Sequence, residues 1–173
     1  ETTPAAGVRQ VRLSFEGPGF VVDQHIKVYT GTALVELWPV IRNLSAPACR
    51  VERVDSFSLD LPAAADLLYY TGDWGCEFEL QQVRLAEETI LETRSGRSSK
   101  GQHPWFALRR GDQAVFSGSV AWSGNWVFRF EPLEGQGWRV SGGLHDWNFS
   151  KDLLPGQALE GPPDVLVLGD SLN

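Results

Sequence analysis

The chain has 173 residues, with 22 acidic against 15 basic side chains and a net charge of −7; that length supports one domain with a sizeable core and is too short for two comfortable ones. A hydrophobic content of 42% against 21% charged residues excludes a disordered chain, and no apolar run approaches the ~20 residues a membrane-spanning helix needs. The nearest thing to a basic cluster, Arg94, Arg97, Lys100, Arg109 and Arg110, is interrupted by Glu92 and Asp112, so neither nucleic acid nor membrane is an expected partner.

Taken in order, residues 1–7 read as a loop. Alternation over 8–15 and 20–29 predicts two half-buried strands broken at Gly17-Pro18-Gly19. Thr30-Gly31 turns the chain into a long strand over 33–42, where Pro39 points to a sheet edge or a bulge. A loop at 43–48 precedes an alternating strand over 49–61, and 63–65 fit a short helical turn or a loop. Residues 69–79 carry a strand into the turn Gly72-Asp73-Trp74-Gly75; 81–88 are polar and 89–94 form a strand candidate.

Residues 95–104 are the longest stretch without a hydrophobic side chain, and a polar, glycine-containing loop of that length inside a compact domain is usually functional or disordered. A strand over 105–109 leads to a hairpin turn at Gly111-Asp112. Strands over 114–122 and 126–131 are expected to pair around Ser123-Gly124-Asn125, and 138–140 to pair back after a turn at 134–137. A loop or short strand at 142–149, a turn at 153–156 and a last strand over 163–168 complete the chain. Short strands separated by turns along the whole length predict an all-β fold: one large antiparallel β-sandwich with little or no helix.

Chemistry-bearing residues are sparse. His25, His103, His145, Cys49 and Cys76 are scattered without ligand spacing, so no metal is expected. The chain has no Gly-x-Ser-x-Gly elbow, and Gly17-Pro18-Gly19 precedes no helix, so neither a serine triad nor a dinucleotide cofactor is expected. Cys49 and Cys76 are expected to be reduced. Asp73, Glu77 and Glu79 fall on one face of a strand and read as ordinary solvated carboxylates.

Asp73 beside Trp74 is different, because an acid accepts hydrogen bonds from sugar hydroxyls while an indole covers the apolar face of the ring. The same two residue types fit a core tryptophan with a chance neighbour. Most of the other six tryptophans are expected to pack the core. The absence of methionine suggests an excised or processed segment of something larger. A cytoplasmic location is expected, with secretion left open.

Five motifs in order carry a resemblance: Gly72-Asp73-Trp74-Gly75-Cys76-Glu77, Glu92-Thr93-Arg94-Ser95-Gly96-Arg97-Ser98-Ser99, His103-Pro104-Trp105-Phe106-Ala107-Leu108, Trp122-Ser123-Gly124-Asn125-Trp126 and Leu154-Pro155-Gly156-Gln157. Upstream, Arg42-Asn43-Leu44 and the run from Asp55 to Pro62 fit as well. From about residue 8 to 168 the chain resembles the N-terminal domain of glycoside hydrolase family 36, the bacterial and fungal α-galactosidases.

The resemblance implies that residues 1–173 are a single sandwich of the supersandwich type, a fragment of a retaining hydrolase of terminal α-galactosides. The (β/α)8 barrel with its two catalytic aspartates would lie outside it. It further implies that Trp74 walls the galactose, that Asp73 binds a hydroxyl, and that Arg97, His103 and Asn125 support the neighbouring loops. The implied partners are an α-galactoside, the barrel of the same chain, and further copies in a homo-oligomer. One departure stands out: Cys76 occupies the place where the family usually has Arg before the motif's Glu, here Glu77, which removes an Arg–Glu pair. Two other readings are a stand-alone carbohydrate-binding or interaction module and a sandwich serving only oligomer contacts.

Overall fold

The computed structural model describes residues 7–61, 66–110, 113–135 and 137–168. The expected helical turn at 63–65, the hairpin turn Gly111-Asp112 and most of the opening loop lie outside these residues. Fifteen strands follow in order: β1 (Val8–Gly17), β2 (Phe20–Tyr29), β3 (Leu34–Asn43), β4 (Cys49–Val51), β5 (Asp55–Leu61), β6 (Asp66–Asp73), β7 (Cys76–Arg84), β8 (Thr89–Thr93), β9 (Gly101–Arg110), β10 (Gln113–Val120), β11 (Trp126–Pro132), β12 (Trp138–Leu144), β13 (Lys151–Leu153), β14 (Ala158–Glu160) and β15 (Asp164–Leu168). No helix occurs among the described residues.

Every strand pair is antiparallel. A nine-stranded sheet runs β1-β2-β3-β15-β10-β9-β6-β7, with β14 also pairing β3; a four-stranded sheet runs β5-β12-β11-β8; β13 and β4 form a short third sheet. The all-β sandwich expected from the alternation is therefore what forms.

The core fills the space between the two larger sheets. Phe106 and Phe116 reach in from β9 and β10, and Phe57, Trp126, Phe128 and Phe130 from the opposite sheet. Phe106 stands edge-on to Phe128 and Phe130, with ring centroids 4.9 and 5.1 Å apart; such pairs add about 0.5–1.5 kcal/mol beyond area burial. Gly118 makes room for this ring, since a Cβ there would lie 2.6 Å from Phe106.

Pro39 occupies neither an edge nor a bulge. It lies within β3 at the gap where β14 gives way to β15, and its carbonyl accepts the Gly161 N–H at 2.8 Å. The donor it lacks falls where no strand asks for one.

Three expected connections differ. The predicted strand over 49–61 is two strands in different sheets, turned by a corner at Glu52-Arg53-Val54. The predicted pair 114–122 with 126–131 does not form: β10 pairs β9 and β15, whereas β11 pairs β8 and β12. Residues 121–125 carry the chain across the core. Alternation reports which face is buried, and two strands facing the same core from opposite sides share that pattern. Finally, residues 101–104 open β9, so the polar loop ends at Lys100.

Candidate functional site

Asp73 pairs with Cys76 across a two-residue turn, Trp74-Gly75, that joins β6 to the edge strand β7. The second turn residue has φ +83°, a left-handed conformation that glycine adopts without strain. Just before the turn the register slips between Thr71 and Asp73, and just after it Phe78 takes φ +58°. Gly72 has a steric reason: a Cβ there would lie 2.6 Å from His103 Nε2. His103 thus passes against the strand, and its ring stacks on Phe78 with centroids 4.3 Å apart.

At the tip, Trp74 is 96% exposed and so no core residue. Asp73 Oδ1 accepts the Trp74 N–H at 2.8 Å, which fixes the carboxylate beside the indole. Asp73, Glu77 and Glu79 do not share one strand face. Asp73 ends β6, the other two lie on β7, and the positive φ of Phe78 interrupts alternation between them; all three are exposed.

Opposite the turn lies the loop from Arg94 to Lys100, which links β8 of the small sheet to β9 of the large one. It is pinned at several points. Asn125 Oδ1 accepts the Gly96 N–H at 2.7 Å, and the buried Trp126 donates its indole N–H to the Ser98 carbonyl at 2.7 Å. The Thr93 hydroxyl lies 3.2 Å from the Arg97 carbonyl and 3.0 Å from Ser95 Oγ.

Between turn and loop is a cleft of about 360 Å³, lined by Asp73, Trp74, Glu77, Phe78, Arg97, Lys100, His103 and neighbouring backbone. Four of the sequence-predicted residues, Asp73, Trp74, Arg97 and His103, come together here, and Asn125 holds the loop from behind. Phe78 and Lys100 were not anticipated; the left-handed turn that brings Phe78 in has no signature in a Phe. With carboxylate acceptors, cationic donors and one open aromatic face, the cleft is equipped for a hydroxyl-rich ring.

A second cleft, about 330 Å³, is lined by Trp122, Asn125, His145, Trp147, Glu160 and others. Trp122 and Trp147 are 44% and 46% exposed, so they depart from the expected packing role that Trp126 and Trp138 fulfil. Beneath them His145 Nδ1 accepts the Trp147 N–H at 2.9 Å, and Nε2 lies 2.7 Å from Glu92 Oε2 and 3.2 Å from Arg94 Nε. Burial would raise the Glu92 carboxyl, but hydrogen bonds from His145 and Arg94 outweigh it and hold the group below its ordinary value. No cluster of three or more metal-ligating side chains exists among the described residues. Cys49 is half-buried, Cys76 exposed, and both are free thiols.

Fold and site together define a large antiparallel sandwich that presents an acid and an indole on an edge hairpin. The sequence profile of the glycosyl hydrolase family 36 N-terminal domain matches residues 7–154, and the chain belongs to that family. It is 30% identical over 148 residues to α-galactosidase AgaA of Geobacillus stearothermophilus, covering 78% of this chain and 20% of that protein.

The crystal structure of family 36 α-galactosidase AgaB from the same organism superposes with a TM-score of 0.89 at 24% identity, over 94% of this chain and 24% of that one. An AgaA variant in complex with raffinose gives 0.90 at 24% identity, over 95% and 24%. The α-galactosidase of Lactobacillus brevis gives 0.88 at 22% identity, over 92% and 23%. The chain thus spans a quarter or less of the length of these relatives.

Proposed function

We propose that this chain is the N-terminal sandwich of a larger retaining glycoside hydrolase acting on terminal α-galactosides, and that its β6–β7 turn lines the sugar pocket of the intact enzyme. Trp74 covers the apolar face of the galactose, Asp73 accepts a hydrogen bond from a hydroxyl, and Arg97, His103 and Asn125 hold the surrounding loop. The catalytic carboxylates belong to a barrel that these residues do not include.

The observation that carries this reading is Trp74, almost wholly exposed at the tip of a hairpin whose backbone is shaped around it. A protein gains nothing for its own core by presenting an indole this way, whereas a ligand or a second domain can cover it. Cys76 pairs with Asp73 next to the tip, so the Arg–Glu pair that it replaces would have sat at the base of the turn.

The test is kinetic. In the enzyme carrying this chain, Trp74→Ala is expected to lower kcat/KM on an aryl α-galactoside by about tenfold, the factor equivalent to ~1.4 kcal/mol and near the upper worth of an aromatic face. An unchanged rate would remove the turn from the pocket.

One observation favours a second reading, a stand-alone carbohydrate-binding module: the half-exposed Trp122 and Trp147 over the second cleft. Titrating the 173-residue chain with galactosides while following tryptophan emission separates the two. Saturable binding that Trp122→Ala abolishes favours the module, and silence favours half a pocket.

A further inference from the structure

Strand β6 is irregularly paired on both of its sides, and the two irregularities meet at one pair of rings. On the β7 side Thr71 pairs with Glu79 and Asp73 with Cys76, so Gly72 alone stands opposite Glu77 and Phe78. On the β9 side Tyr69 pairs with Phe106 and Thr71 with Gln102, so Tyr70 alone stands opposite His103, Pro104 and Trp105. Extra residues on one strand of a pair are bulges, and bulges re-aim side chains that alternation would send elsewhere. Here they turn Phe78 and His103 onto each other, with ring centroids 4.3 Å apart and planes 26° from parallel.

The backbone leaves its ordinary states to make this contact. Phe78 takes φ +58°, a left-handed conformation that a bulky side chain enters only when its surroundings force it, and Gly72 has to lack a side chain because a Cβ would lie 2.6 Å from His103 Nε2. Closing the hairpin does not require the bulge, since the Asp73–Cys76 pair already completes the two-residue turn beyond it. Nor does the core require it, because Phe78 remains 66% exposed. His103 stacks on the ring, Tyr70 meets it at 71° with centroids 6.2 Å apart, and Phe78 lines the same cleft as Trp74, Arg97 and Lys100. Strained backbone that packing holds in place clusters at ligand contacts.

We propose that Phe78, backed by His103, is the platform for the leaving group: the sugar ring released from the galactoside lies against it. The inference rests on the pocket proposed above, with galactose against Trp74, and assigns the cleft's second aromatic face to the next ring of the substrate. Among the described residues no ring contact joins Trp74 to Phe78, so the two faces serve the cleft separately. A phenyl ring carries no polar atom, so it covers any sugar with an apolar face and reads no pattern of hydroxyls. Phe78 therefore favours galactosides whose leaving group is a sugar ring over those whose leaving group is small.

The test compares two substrates in the enzyme carrying this chain. Its readout is the ratio of kcat/KM on raffinose, which releases sucrose, to kcat/KM on α-galactosyl fluoride, which releases fluoride alone. Phe78→Gly removes the ring at a position whose φ suits glycine, so the hairpin keeps its shape. It is expected to lower the ratio about tenfold, while Phe78→Tyr, which keeps an aromatic face, holds it within about twofold. Trp74→Ala is expected to slow both substrates together and leave the ratio where it was. A ratio unchanged in Phe78→Gly, with Trp74→Ala still slowing both substrates, would overturn the platform and leave the galactose contact standing. A ratio that Phe78→Tyr lowers as far as Phe78→Gly does would also overturn it, because the aromatic face would not be what acts. If Trp74→Ala slows neither substrate, the pocket reading falls and this inference falls with it.

Discussion

Asp164 is a carboxyl group buried in the core. It is 0% exposed, and neither carboxylate oxygen has a hydrogen-bond partner. Burial pushes its pKa well above the ordinary value; Ser56 relieves this only in part, its proton going to the Pro162 carbonyl at 2.7 Å, and the Asp55 charge pushes the same way as burial. An acid whose folded pKa is raised binds its proton more tightly in the folded state. Stability is therefore full below the unfolded pKa, near ~3.9, and drains as pH rises toward the folded value. Asp164→Asn removes that titration. Its melting temperature relative to the unsubstituted protein is expected to rise as the pH is raised above the unfolded pKa of about 3.9 in paired thermal melts, and a difference constant with pH would contradict the assignment. Asp73 and Trp74 were legible in the sequence because they are adjacent and need no fold to bring them together. The bond between His145 and Glu92, 53 positions apart, was not, because no local pattern encodes it.

At the scale of elements, the loop from Arg94 to Lys100 shows how a polar segment is made rigid. Its conformation rests on Asn125 and Trp126, which lie at the start of β11 rather than in the loop itself. Asn125→Ala is expected to cost about 1 kcal/mol of stability, the worth of one hydrogen bond, while hydrogen exchange of the Gly96 amide accelerates far more than that of core strands. Uniform acceleration across the sheets would show that Asn125 acts globally. The sequence offered this stretch as functional or disordered; it is ordered, through contacts with residues nearly thirty positions away. The strand expected over 114–122 forms over Gln113–Val120 and that over 126–131 forms as β11, yet the neighbours were misassigned, since the two segments line opposite sides of one core. Pro39 was likewise expected at an edge or a bulge because the gap it fills is made by residues 161–163, far along the chain.

Across the whole molecule, the two sheets converge on an aromatic core, and the candidate cleft lies at one flank, where an edge hairpin of the large sheet meets the loop that crosses from the small one. Neither half of that cleft is a site alone: the hairpin brings the indole and the acid, the loop brings Arg97 and Lys100. This division explains why composition and periodicity yielded the fold readily and the cleft only in part. The most direct measurement of the central claim is a crystal structure of the intact protein with a non-hydrolysable galactose mimic bound. The Trp74 ring is expected within about 4 Å of the sugar's apolar face, with Asp73 in hydrogen-bonding reach of a hydroxyl. A sugar bound with the β6–β7 turn remote from it, in every copy of the assembly, would contradict the account.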